Sequence, residues 1–253
     1  MRAESPNGED GERLAALLLL ADGRFPSGAH AHSGGLEAAA ELEGVQDVAT
    51  LEEFLTGRLG TSGLVAAAFA AAACRASAGA GHPASADAGG RSLDAAAAPT
   101  LRELDVELDA RIPSPALRTA SRRLGRQLLR AGRAAWPHAA LDRLGPALPH
   151  GPHQPVALGV VAAAAGLDPA YAALAAAHDA AIGPATAAVR LLGLDPFSVH
   201  AVLARLGPRI AAVAADGAAA AYASPAELPS PAGPLLDIAA EHHATWEVRL
   251  FAS

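Results

Sequence analysis

Residues 24–41, RFPSGAHAHSGGLEAAAE, carry the densest group of side chains that could do chemistry. His30 and His32 lie two residues apart, and a pair of imidazoles suits borderline divalent metals such as Zn²⁺ or Ni²⁺. A stable site would need a third ligand at a definite spacing, and the sequence has no H-E-x-x-H motif. The pattern therefore favours a transient metal contact over a closed metal site.

Ser33 lies in AHSGG, a degenerate form of the nucleophile elbow G-x-S-x-G. That motif works where the serine occupies a sharp turn between a strand and a helix. Here a helix and a loop precede the serine, and no acid or base at a strand end is evident, so a hydrolase is the weaker hypothesis. We predict instead that Ser33 caps a helix over GGLEAAAELEG, with Glu37 in its first turn.

Four arginines spaced by four residues line one face of a predicted helix: Arg118, Arg122, Arg126 and Arg130. Such a row of like charges repels itself by a few tenths of a kcal/mol per pair, roughly. Two interpretations stay open. The row pairs with the acidic segment just before it (Glu103, Asp105, Glu107 and Asp109), or it forms a docking strip for an acidic partner.

The chain ends in EVRLFAS, with Leu250 and Phe251 beside Arg249. Terminal residues usually fray, so an apolar pair there should be buried against the body or against another protein. We favour another protein. We expect His242 and His243, just before this segment, on a solvated helix face.

Composition predicts an all-α protein, because 51% of the 253 residues are hydrophobic and alanine dominates them. The chain has no lysine, which excludes a Walker-type phosphate loop and a Schiff-base enzyme. A net charge of −7 disfavours nucleic acid as a partner. The lone Cys74 excludes a disulfide, and the polar start and short apolar runs predict a cytoplasmic protein without a membrane span.

The elements that must position these groups are eight to eleven helices in a single compact bundle. We predict a flexible tail over 1–11, one helical domain over 12–253, and a low-complexity linker at about 76–98. Thr50 should cap a helix that runs to about residue 75, with a break at 60–63. Helices should also start at Ser114-Pro115, Asp168-Pro169, Asp195-Pro196 and Ser224-Pro225, with separate helices over 196–206 and 208–221.

Five segments in order resemble the urease accessory protein UreF family. They are a leucine-rich first helix followed by FPSGAHAHSGGLE, then PSPALRTASRRLG, HQPVALGVVAAAAGL, AAVRLLGL with Arg190, and the terminal RLFAS. The resemblance spans about 12–253 and is interrupted only over the predicted linker.

This resemblance implies an all-helical homodimer without catalytic activity or a tightly bound cofactor. It would bridge UreD, called UreH in some organisms, and the GTPase UreG, in a complex that delivers nickel to apo-urease, and it would influence GTP hydrolysis by UreG. The residues that we expect to contact partners are His32, Ser33, Glu37, Arg118, Arg122, Arg126, Arg190, Arg249, Leu250 and Phe251. If nickel passes through the protein, His32 and His153 are the expected transient ligands.

Two rival hypotheses remain at this stage. One is a metal enzyme that uses His30, His32 and His153 as ligands, which would keep a stoichiometric ion through dialysis. The other is a helical scaffold unrelated to urease.

Overall fold

The computed structural model describes residues 6–78 and 100–251, and these residues form helices joined by turns and loops, with no strand among them. The predicted all-α class and helical bundle are thereby confirmed. The helices are α1 (Pro6–Ala21), α2 (Leu36–Leu42), α3 (Val48–Arg58), α4 (Leu64–Ala78), α5 (Leu101–Ala110), α6 (Pro115–Ala135), α7 (Ala139–Ala147), α8 (Gln154–Ala164), α9 (Pro169–Leu191), α10 (Pro196–Ala220) and α11 (Pro234–Ala244).

A buried helical rod runs through the centre of the bundle. The break predicted at 60–63 is a π-turn, Leu59–Gly63, through which α3 continues into α4. α4 packs against α8, α9 and α10. The rod is long and apolar enough to span a membrane, whereas the sequence predicted no such segment. However, 61% of its most apolar stretch is buried inside the protein. That burial is typical of the core helix of a soluble protein.

Small side chains let these core helices approach one another closely. A Cβ atom at Gly159 of α8 would overlap the carbonyl oxygen of Ala70 and the backbone of Cys74 in α4. A Cβ atom at Gly217 of α10 would overlap Ala67 of α4. The alanine-rich composition therefore serves close packing as well as helix formation.

We expect Gly159→Ala to lower the free energy of unfolding by about 1–3 kcal/mol, because the new methyl group meets backbone atoms of α4. Gly57→Ala in α3 is the matched control. No atom lies within 4 Å of its new Cβ, so alanine should stabilise the helix by about 0.5–1 kcal/mol. Urea unfolding of both variants measures the difference, and an unchanged midpoint for Gly159→Ala would contradict the close packing of α4 and α8.

Three of the predicted proline starts are confirmed as helix N-termini. The side chains of Ser114, Asp168 and Asp195 accept hydrogen bonds from backbone N–H groups in the first turns of α6, α9 and α10. The fourth start, Ser224-Pro225, opens only a single 3-10 turn, Pro225–Glu227. A local cap signal therefore locates a helix start but does not fix the length of the helix.

The predicted cap of α3 is wrong by three residues. Asp47 is the N-cap, because its carboxylate accepts a hydrogen bond from the Thr50 backbone N–H at 2.8 Å. The Thr50 hydroxyl in turn accepts a hydrogen bond from the Asp47 N–H at 3.1 Å, which completes a reciprocal capping box.

The break predicted between 206 and 208 is absent, since α10 runs through Pro208. Leu206 and Ile210 on either side are both buried, and their packing holds the helix together across the proline. The N-terminal helix also begins earlier than predicted, at Pro6, and so includes part of the segment expected to be a tail.

The predicted linker at 76–98 lies largely outside the described residues. α4 extends to Ala78, and α5 on the far side of the gap packs against α4. The division of the chain into a tail, one domain and a linker stays a prediction.

Candidate functional site

The loop over residues 24–35 connects α1 to α2 and lies against α6. The ring of Phe25 stacks on Trp136 just after α6, with 5.7 Å between the ring centroids. Gly28 has a left-handed φ of 81°, and the amide of Gln127 fills the space that a Cβ would need. The middle of the loop is one 3-10 turn, Ala29–Ala31. This packing fixes the loop on the body of the protein.

An inner cavity of about 140 Å³ lies behind this loop. Burial and the nearby guanidinium of Arg123 lower the pKa of His32 to about 4, so its imidazole is neutral at physiological pH. Burial also lowers the pKa of His178 and raises the pKa of Asp179. Neutral imidazoles are groups that a divalent cation can contact. The polar and aromatic lining residues include His30, His32, His178, Asp179, Arg190 and Phe251.

A second cavity, of about 240 Å³, adjoins the inner cavity. Four residues line both spaces: His32, Leu124, Gln154 and Asp179. Gln154 Nε2 donates a hydrogen bond to Asp179 Oδ2 at 3.2 Å, which joins α8 to α9 within this shared layer.

The Glu37 carboxylate binds the C-terminal segment, by which we mean the residues that follow α11 in the same chain. Glu37 lies in the first turn of α2, is 7% exposed, and its backbone N–H donates to Ser33 Oγ at 3.2 Å. Its Oε1 accepts a hydrogen bond from the Leu250 N–H at 2.8 Å, and its Oε2 accepts one from the Phe251 N–H at 3.0 Å. His243 Nε2 of α11 donates a further bond to Oε2 at 3.0 Å. One buried carboxylate thus joins α2, α11 and the end of the chain.

Phe251 is buried, and the guanidinium of Arg190 lies over its ring, 5.2 Å from the centroid. The interpretation of the tail as a segment buried only by another protein is therefore corrected, because Phe251 packs against its own chain. Leu250 and Arg249 remain exposed, as does Val248.

A second polar network joins α5, α6 and α8 around His153. Arg122 Nη1 donates to Asp105 Oδ2 at 2.9 Å, and Arg122 Nη2 donates to Asp109 Oδ1 at 2.6 Å. Asp105 Oδ1 accepts the His153 backbone N–H at 2.8 Å. His153 Nε2 and Nδ1 lie 3.0 Å from Asp109 Oδ1 and Ser121 Oγ, respectively.

The ring of His153 is neutral and has a defined tautomer. Its side chain is fully buried, and burial lowers its pKa against the opposing effect of Asp109. A carboxylate only accepts, so Nε2 carries the proton, and Nδ1 accepts from the Ser121 hydroxyl. Both ring nitrogens therefore already have protein partners.

The arginine row divides into two halves: one pairs with the acidic segment before it, and docking of an acidic partner by the other half stays a prediction. Arg122 pairs with Asp105 and Asp109, and Arg118 Nε lies 3.8 Å from Asp109 Oδ2. Arg126 and Arg130 are exposed and, within the described ranges, pair with no carboxylate. Arg126 Nη1 instead donates to the His150 carbonyl oxygen at 2.8 Å.

Arg123, which adjoins Arg122 but does not belong to the row, is also exposed. We call Arg123, Arg126 and Arg130 the basic strip. Since Arg123 is close enough to His32 to lower its pKa, the strip lies beside the 24–35 loop.

The chain is similar to one described protein family and to several named proteins. A family model described as UreF matches residues 45–207. Proteins named urease accessory protein UreF from Mycolicibacterium vanbaalenii, Mycobacterium sp. strain JLS and Mycobacterium tuberculosis are 44%, 45% and 40% identical to the chain. Each comparison extends over 240 residues, which is 95% of this chain and 99% of the relative.

The chain belongs to the UreF family. At this level its function is that of a urease accessory protein, a role in which it acts together with other proteins of urease maturation. The part that matches the UreF family model contains the His153 network and the basic strip, whereas Glu37 and the C-terminal segment lie outside residues 45–207.

Several residues that the UreF resemblance singled out come together in space. Glu37 contacts the backbone of Leu250 and Phe251, and Arg190 contacts the ring of Phe251. His32 lines the cavity beside them, while His153 lies in the separate network. Among the described residues, no set of three His, Cys, Asp or Glu side chains is arranged to hold a metal ion. The transient ligands His32 and His153 stay a prediction.

Sequence reasoning missed His243 as a site residue. His243 was expected with His242 on a solvated face, but it is 3% exposed and bonds to Glu37. Its neighbour His242 is exposed, as expected. The helical period of α11 could have separated the two, because adjacent residues on a helix point in directions about 100° apart.

Proposed function

We propose that this chain bridges UreD (or UreH) and the GTPase UreG in a cytoplasmic complex that delivers nickel to apo-urease, and that it modulates GTP hydrolysis by UreG. We further propose that it acts as a homodimer. The observation that carries the proposal is the outer surface of α11 and the C-terminal segment. Leu235, Ile238, Val248 and Leu250 are 64–85% exposed there. Leu235 and Ile238 belong to α11, and Val248 and Leu250 follow it along the chain. Exposed apolar side chains that form a contiguous patch typically mark a protein-binding surface.

The two proposed partners make different demands on this chain. A protein without lysine cannot supply a Walker-type phosphate loop, so GTP hydrolysis must come from UreG. We assign the contact with UreD to the exposed apolar residues of the C-terminal segment. The basic strip supplies a second surface, whose charge suits an acidic protein.

Nickel passing through the complex is cargo, and weak ligands suit cargo because a tightly bound ion would be released slowly. Of the two expected transient ligands, His32 is the better placed, since it lines the inner cavity with a neutral ring. His153 instead lies in the polar network, where Asp109 and Ser121 bind its ring. The rival metal enzyme would retain about one ion per chain through dialysis, and metal analysis tests it.

The proposal is tested by deleting the gene and measuring urease activity and urease nickel content. We expect both to collapse and to return when the intact gene is restored. Complementation with Val248→Asp and Leu250→Asp together should restore much less of either, because these substitutions place charges on the apolar surface that we assign to the UreD contact. These substitutions leave the backbone N–H groups that bind Glu37 in place.

Phe197→Asp is the matched control, since Phe197 is 86% exposed at the start of α10 and far along the chain from the C-terminal segment. It should restore activity fully. Urease that remains active and nickel-loaded in the deletion strain would overturn the proposed function. Full restoration by the Val248 and Leu250 variant would overturn only the assignment of the UreD contact.

A further inference from the structure

We call residues 247–251 the C-terminal strap, and its residue Phe251 lines the inner cavity. An open outer groove is lined by His30, Ala31, Arg190, Glu247, Arg249, Leu250 and Phe251. His30, Arg190 and Phe251 line both this groove and the inner cavity. These three residues therefore lie between the cavity and the groove, and Phe251 is the one that the strap supplies.

Phe251 is the one buried side chain among residues 247–251, since Glu247 and Arg249 are exposed together with Val248 and Leu250. Phe251 is 6% exposed, whereas Val248 and Leu250 are 85% and 69% exposed. The Phe251 ring packs against the guanidinium of Arg190, whereas the side chains of Val248 and Leu250 are exposed to solvent. Phe251 thus packs on the inner side of the strap. On the outer side, Val248 and Leu250 are exposed and another molecule can contact them.

Glu37 supplies the hydrogen bonds that hold the strap. Its two oxygens accept the consecutive N–H groups of Leu250 and Phe251, and His243 binds one of the same oxygens. Hydrogen bonds to an ionised carboxylate are roughly twice as strong as neutral ones. Without Glu37, the strap keeps the packing of one aromatic ring but loses its backbone attachment.

We propose that Glu37 is a latch and that the strap is a lid, whose displacement opens the inner cavity to the outer groove. Only a short segment at the end of the chain has to move, and such segments open with far less free energy than global unfolding requires. Displacement of the strap removes Phe251 from the wall of the inner cavity and exposes the cavity, which His32 also lines. The lid depends on contacts within this chain and does not depend on which partner binds.

A cysteine placed in the cavity tests the lid. Ala187 lines the cavity, is 2% exposed, and lies one helical turn before Arg190. We expect Glu37→Gln to raise the rate at which a thiol reagent labels Ala187→Cys by at least tenfold. The native Cys74 adds little background, because it is fully buried and burial raises its pKa to about 12. The chain without Ala187→Cys gives that background directly.

Glu41→Gln is the matched control, because Glu41 is an exposed carboxylate on the same helix. It should leave the labelling rate of Ala187→Cys unchanged. Hydrogen exchange at the Leu250 and Phe251 amides gives a second readout, and Glu37→Gln should accelerate it. Circular dichroism verifies that each variant is folded.

Phe251→Ala keeps the test decisive if Glu37→Gln does not fold. This variant removes the aromatic ring while Glu37 stays in place, and it should also accelerate labelling at least tenfold. The proposal is overturned if Ala187→Cys in the otherwise intact chain reacts as fast as Ala204→Cys on the exposed side of α10. It is equally overturned if neither Glu37→Gln nor Phe251→Ala changes the labelling rate.

Discussion

Arg122→Met is expected to lower the free energy of unfolding by about 3–5 kcal/mol, the usual cost of removing one member of a buried ion pair. The Asp105 side chain is 4% exposed, and Arg122 is the cation that contacts it. Methionine keeps much of the apolar stem but leaves the Asp105 charge uncompensated. In a protein of this size the melting temperature should fall by roughly 6–20 °C.

Arg123→Met is the matched control for this prediction. Arg123 is the next residue on α6, but it is exposed, so its replacement should change stability by about 0.5 kcal/mol or less. Adding Asp105→Asn to Arg122→Met should recover part of the loss, because the amide oxygen can still accept the His153 N–H without a buried charge. If Arg122→Met and Arg123→Met melt alike, the network does not stabilise the fold.

Local sequence signals predicted the parts of the fold that depend on neighbouring residues. Ser114-Pro115 places the start of α6 correctly, because a capping hydroxyl and a proline act within one turn. Pro208 misled the prediction, because the packing of Leu206 and Ile210 on the core outweighs a missing hydrogen bond. Such packing is decided by residues distant in sequence and leaves no local pattern.

The same distinction explains the candidate site. The motif around His32 and Glu37 identified both residues, but their contacts could not be read from it. Glu37 binds backbone groups 213 and 214 residues away, and a backbone N–H has no sequence signature. The arginine row was recognisable by its spacing, whereas the division between half-buried and exposed members depends on where α5 packs.

That division defines the second large effect, on partner binding. Replacing Arg123, Arg126 and Arg130 together by glutamate should slow association with an acidic partner by about 10–1,000-fold at low salt. Arg123 and Arg130 lie seven residues apart, about 10 Å along α6, and Arg126 between them is held by the His150 carbonyl. These three positive charges are opposite in sign to the net charge of −7 that the whole chain carries.

Association rates with purified UreD and UreG, measured separately, test this prediction. The control triple is Arg102→Glu, Arg143→Glu and Arg209→Glu, which replaces three other exposed arginines and changes the net charge equally. Of the two triple variants, only the one in the basic strip should associate more slowly than the unchanged protein, and only with one of the two partners. The deficit should shrink as salt rises, because the screening length falls from about 10 Å at 0.1 M to about 3 Å at 1 M. Equal rates for both triples would show that net charge, and not the basic strip, governs docking. A loss that persists at high salt would mean that the strip packs into the interface after encounter, since screening removes long-range attraction but not direct contact.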